Sequence, residues 1–153
     1  MKVLSLLQPW ASLVVMGIKK IETRSWTTTH RGTLLIHASK GKAGNIFAEE
    51  FPFKKHIQDF NKLPFGAIIG QVTLIDVMRT EELGMTDERI NSLTLEEKSF
   101  GDYSSGRFAW LFEDAVMFKD FFSARGSMHL WNCPLMIKKE ILELNTHNGS
   151  SPT

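Results

Sequence analysis

The sequence predicts an α+β domain built on a small, curled, mostly antiparallel sheet with short helices interleaved. Two observations carry this. Runs of branched and aromatic residues, unequal in length, are each bounded by Gly, Pro or Ser turns, and the stretches between them hold only short helical spacings. No internal repeat or low-complexity linker divides the chain, so residues 1–145 are expected to form one domain, with 146–153 a frayed tail.

Lys2–Leu7 reads as the first strand, and Pro9–Met16 as a helix ended by Gly17 in a left-handed turn, since Pro at the start and Gly past the end is the usual asymmetry. Ile21–Trp26 then alternates across a pleat, with Glu22, Arg24 and Trp26 on one face and Ile21, Thr23 and Ser25 on the other. Gly32–Ser39 is a branched apolar strand. From Ala43 to Asn61 the spacing of Ile46, Phe47, Phe51, Ile57 and Phe60 is helical, divided at Pro52. Pro64-Phe65-Gly66 turns the chain into the strand Ala67–Val77, where Gly70 marks a bulge or a close backbone approach. Thr86 and Thr94 each precede acidic residues as helix caps. Gly101–Gly106 is a loop, Arg107–Phe112 a strand, Met128–Trp131 a short last strand, and Leu135–Leu144 either strand or helix.

At 153 residues the chain can bury a full core, and its 42% hydrophobic and 23% charged residues are ordinary for a globular domain. The lone Cys133 excludes an internal disulfide and a CxxC metal knuckle. Neither a secretory leader nor a membrane span is visible, so a reducing, cytoplasmic or nuclear setting and a monomer are expected. The five histidines show no ligand spacing, and no metal or cofactor is expected. His37, inside an apolar strand, reads as a hydrogen-bonded core residue.

The net charge of +1 hides an asymmetry: residues 1–43 carry seven Lys and Arg against Glu22 alone. A carboxylate, a guanidinium and an indole on one strand face are costly to bury, and they suit an open groove. Lys19, Lys20, Arg24, Arg31 and Lys40 are candidates for phosphate contacts, with Arg107 reaching in from the Gly101–Gly106 loop. Trp10 and Trp26 are open between core packing and platforms for unpaired bases.

The stretch LSLLQPWASLVVMGIKKIETRSW, followed by HRGTLLIHASK, resembles the ASCH domain of the PUA-like superfamily, closest to the cointegrator branch. The family's Gly-x-Lys-x-x-Glu-x-Arg pattern stands here as Gly17, Lys19, Glu22 and Arg24, while PFGAIIGQVTLIDV, GRFAWLFED and HLWN resemble its later strands. The resemblance implies a small β-barrel with helices around it and a cleft beside the signature that binds nucleic acid, RNA in preference to DNA. It also implies an alternative, since some ASCH-like proteins are amidohydrolases of acetylated cytidine that use a lysine, a threonine three positions later and a distant glutamate. Lys19 matches that lysine, but Glu22 stands where the threonine would be, so a hydrolase of modified nucleosides or RNA would rest on Lys19 and Glu22 as catalytic groups. A third reading is an interaction domain whose cleft is plugged by Tyr103 or Trp110.

Overall fold

The computed structural model describes residues 1–83 and 93–149. Among these described residues six strands, β1 (Lys2–Leu6), β2 (Ile21–Arg24), β3 (Gly32–Ala38), β4 (Ala67–Arg79), β5 (Phe108–Ser123) and β6 (Leu130–Asn132), form one sheet in the order β2-β5-β4-β3-β1-β6. Only β1 and β3 run parallel; the other neighbours are antiparallel. Leu4, Leu6, Leu34, Ile36, Ile69, Val72, Leu74 and Trp110 fill one cluster with Trp26 and Leu130 packed on it. Side chains from nearly every strand meet in this way because the sheet curls around them into a half-barrel, in keeping with the small curled barrel expected from the sequence.

Helix α1 (Trp10–Val15) contributes Ala11, Val14 and Val15 to that cluster. Gln8, fully buried, fixes its start: Oε1 accepts the Ser12 N–H at 2.9 Å, and Nε2 donates to Ser12 Oγ and to Pro64 O, each at 2.8 Å. Gly17 ends the helix at φ +76°, the left-handed turn expected from its position. At Gly70 both expectations hold. The β4–β5 register shifts between Ile68 and Gly70, and a Cβ there would lie 2.3 Å from Val116 O and 2.7 Å from a Val15 methyl.

The apolar stretch after β3 is divided at Pro52, as expected, into α2 (Asn45–Ala48) and α3 (Phe53–His56), followed by a 3-10 turn at Phe60–Lys62. These single turns have little propensity of their own; Ala48, Phe53, Ile57 and Phe60 hold them by packing with Leu13 and Phe100. Thr94 caps α4 (Leu95–Ser99) by accepting the Glu97 N–H at 3.0 Å, whereas Thr86 lies outside the described residues. Two boundaries differ from the sequence reading. β2 stops at Arg24, and Trp26 lies beyond it; β5 runs on to Ser123, because pairing with β4 carries it past the apolar run that ends at Phe112. The final segment is a helix, α5 (Leu135–Gly149), with Ile141 packed on Val3, Leu35, Ile68 and Phe118. Among the described residues no helix is long and apolar enough to cross a membrane.

Glu97 anchors the turn between α1 and β2. Its carboxylate accepts the N–H groups of Lys20, at 3.1 and 3.2 Å, and of Ile21, at 3.0 Å, while the buried Lys19 charge attracts it. Burial still pushes the Glu97 carboxyl above its ordinary range, against the pull of Lys19 and the two amides. On the outer sheet face, His37 Nε2–H donates to Ala124 O at 2.8 Å, so in the neutral ring Nδ1 is the acceptor. It takes the Ser5 hydroxyl at 3.0 Å, and Trp131 Nε1 donates to Ser5 Oγ at 3.0 Å. Burial lowers the His37 pKa, opposed by the Ala124 carbonyl.

Two outcomes follow for stability. Glu97→Ala should cost about 3–5 kcal/mol in urea denaturation, because it leaves Lys19 buried and two amides unpaired; a loss under about 1 kcal/mol would show the anchor to be dispensable. Unfolded His37 titrates near 6.5 and the folded residue lower, so the unfolded chain binds the extra proton. The His37 contribution is therefore full above about pH 6.5, falls by at most about 1.4 kcal/mol per pH unit as pH drops, and levels off below the folded-state value. Denaturation curves of His37→Gln between pH 8 and 5, set against the parent, should lack that component of the slope.

Candidate nucleic-acid interface

β2 leads into a cleft of about 350 Å³ whose lining includes Trp10, Glu22, Thr23, Arg24, Phe47, Phe53, Phe100, Asp102 and Arg107. Trp10 is held as a wall: Nε1 donates to Phe100 O at 2.8 Å, and the ring packs against Phe47 and Phe53 at centroid separations of 5.2 and 5.9 Å. Phe47 is the more open ring, 40% exposed.

Glu22 is only 7% exposed, so it is set into the wall instead of standing in an open groove. Its Oε1 accepts the Thr23 N–H at 3.1 Å, and the carboxylate keeps further acceptor capacity. Arg24 forms no ion pair among the described residues, and its guanidinium lies 5.7 Å from the Trp26 ring centroid. Arg107 is more committed. It donates from Nη2 to Thr23 O and from Nε to Asp102 O, each at 3.1 Å, with the Asp102 carboxylate 3.6 Å away. The Ser104 hydroxyl and amide, and then Arg107, hold Asp102 below its ordinary range. Two guanidinium groups thus face two carboxylates. The cleft is charge-balanced, unlike the basic cleft expected from the sequence.

The remaining candidates lie elsewhere. Lys19 is 1% exposed and donates from Nζ to the Ile21 carbonyl; with Lys20 it lines a separate hollow of about 230 Å³ beside Gly17 and Phe112. No hydrogen bond or ion pair joins Lys19 to Glu22 among the described residues. Trp26 packs edge-on against Trp110 at 4.8 Å and His129 at 4.7 Å, and its carbonyl accepts Trp110 Nε1 at 3.3 Å. Arg31 donates to Thr28 O at 3.0 Å, to His30 O at 2.8 Å and to Asp76 at 3.5 Å. Lys40 lines another hollow with His37 and Arg125. Trp110 is fully buried in the main cluster, and Tyr103 packs beside Ile21, Ala109 and Leu111, so neither lines the cleft. The Tyr103 hydroxyl is buried without a hydrogen-bond partner among the described residues, and burial followed by the charges of Glu97 and Glu22 raises its pKa.

Phe47, Phe53 and Phe100 join the cleft although the sequence did not single them out for it, whereas Asp102 arrives with the Gly101–Gly106 loop that was expected there beside Arg107. Phe47 had a signal, an aromatic in a helical spacing too short to bury every apolar position. Phe100 had none, since only long-range packing brings it beside β2. Among the described residues no cluster of His, Cys, Asp or Glu is arranged to hold a metal.

The family model of the ASCH domain matches residues 4–122. Activating signal cointegrator 1 of Homo sapiens is 40% identical over 85 residues, covering 52% of this chain and 15% of that protein; the Mus musculus counterpart is 39% identical over the same shares. The matched stretch is thus a small part of those relatives. Among solved structures, ASCH from Zymomonas mobilis matches with TM-score 0.57 at 14% identity, covering 94% of each chain. A serine-to-alanine mutant of ZmASCH gives 0.58 at 17% identity over the same 94% of each chain, and both likenesses speak for the fold. With the family model spanning most of the chain and the half-barrel matching solved ASCH structures, this protein belongs to the ASCH domain family.

Proposed function

We propose that the chain is a nucleic-acid-binding module that takes an unpaired base, from RNA in preference to DNA, into the cleft lined by Trp10, Glu22, Arg24, Phe47 and Arg107. The observation that carries this reading is Arg24, a guanidinium without an ion pair at the rim of an aromatic-walled cleft of about 350 Å³. Arg24 supplies a backbone phosphate contact, and the Phe47 ring offers a stacking face. Glu22 is an acceptor only, which suits an exocyclic amine or a ribose 2′-hydroxyl and disfavours a phosphate; the 2′-hydroxyl is the basis of the preference for RNA. The charge balance of the cleft fits base recognition with few phosphate contacts, so the salt dependence is expected to be shallow. Lys20, Arg31 and Lys40 do not line this cleft, and Lys40 belongs to a hollow on another face, so the strand backbone meets few cations here.

Fluorescence anisotropy with short single-stranded RNA and DNA oligomers tests this. Arg24→Ala should weaken binding several-fold at low salt and reduce the salt slope by about 1. Phe47→Ala should cost about 1–3 kcal/mol at all salt concentrations if it stacks on a base. Absence of salt-sensitive binding at micromolar protein, or binding untouched by both changes, refutes the assignment. Glu22→Gln, which retains the shape but loses the charge, should narrow the difference between RNA and DNA. An unchanged difference would remove Glu22 from recognition.

A further inference from the structure

On the outer face of β1 and β3, away from the cleft, lies a larger hollow of about 750 Å³. Its floor includes Ser5 and His37, its rim Lys40 from the turn after β3, and its far side Ser123 to Met128, the connection between β5 and β6. Among the described residues no Asp or Glu lines it. Lys40 and Arg125 are both exposed, and neither forms an ion pair among the described residues. Two cations lining one hollow, with no acidic residue among the described lining and no ion pair among the described residues, favour an anion there.

The floor is rigid and uncharged. Ser5 accepts from Trp131 and donates to His37, and His37 donates to the Ala124 carbonyl, so the Nδ1 and Nε2 positions of the ring are both occupied. The loop backbone is seated on this pair: a Cβ at Gly126 would stand 2.9 Å from both Ser5 Oγ and His37 Nδ1. The network therefore holds the loop that carries Arg125 against the strand that leads into Lys40. The pair's own proton is committed to the fold, and binding falls to the rim.

We propose that this hollow binds a phosphomonoester, with Lys40 and Arg125 clasping the phosphate and the remaining space accepting a nucleoside-sized group against Met128. A phosphate presents enough oxygens for two cations and for the Ser123 and Ser127 hydroxyls at once, whereas a carboxylate has two oxygens to share among them. Met128, 80% exposed, supplies an adaptable apolar surface beside these polar groups. The phosphate can belong to a free nucleotide or to the 5′ end of a strand. The site is independent of the base-binding cleft.

The test uses the full chain and amide NMR spectra titrated with inorganic phosphate, adenosine 5′-monophosphate, adenosine, and one oligonucleotide with or without a 5′-phosphate. Saturable shifts at Lys40, Gly126 and Ser127 and in the His37 ring with the monophosphate, but not with adenosine, support the proposal. Lys40→Ala with Arg125→Ala should weaken that binding at least about tenfold while leaving the thermal midpoint unchanged. Arg24→Ala should leave it intact, which separates failure of this site from failure of the cleft. Tighter binding of the 5′-phosphorylated oligonucleotide than of the mononucleotide identifies a strand end, and the reverse identifies a free nucleotide. No saturable shift at millimolar monophosphate, or binding unchanged in the double variant, overturns the proposal.

Discussion

The reach of Glu97 back to the start of β2 is the contact on which the cleft depends. Its carboxylate takes the N–H groups of two consecutive residues, Lys20 and Ile21, from 77 and 76 positions further along the chain. Without such an acceptor those groups would be lost donors at a helix exit, where water is largely excluded. Lys19 balances the charge from within the same buried turn and spends its own ammonium on the Ile21 carbonyl. The pair is costly to desolvate, so its value lies in geometry more than in net stability. It sets where β2 begins, and with β2 paired to β5 it determines that Glu22 and Arg24 face Trp10.

The signature residues consequently divide by role. Gly17 makes the turn and Lys19 neutralises its anchor, while Glu22 and Arg24 line the cleft. The spacing that looks like one polar patch in the sequence is half scaffold and half surface. The basic excess of the first 43 residues divides similarly. Arg31 pairs with Asp76, Lys40 turns to the outer hollow, and Arg24 remains in the cleft, where Arg107 and Asp102 arrive from a distant loop. Charge counted along a segment therefore exaggerates the charge of any one site, because a curled sheet distributes neighbours in sequence over different faces.

Local rules made much of the fold legible. Gly17 adopts the left-handed turn its place after a short helix demands, Pro52 divides the apolar stretch, Thr94 caps its helix, and Gly70 is pressed against Val116. Each depends on residues a few positions away or on a conformation that only one residue type accepts cheaply. The length of β5 was not legible in the same way. Beyond Phe112 its residues are largely exposed and lose the strand alternation, so the pairing with β4 alone maintains the extended chain.

The α+β class, the places of the main strands along the chain, the family and the residues of the signature were legible from the sequence alone, because they rest on periodicity, turn chemistry and a spaced motif. That Lys19 is buried on a carbonyl, that Glu22 is set into a wall, and that Glu97 and Phe100 come to lie beside them emerges from the folded chain alone. The physical reason is that burial and partnership are properties of contacts made across tens of residues. A lysine destined for an internal acceptor and one destined for a phosphate carry the same local sequence signal.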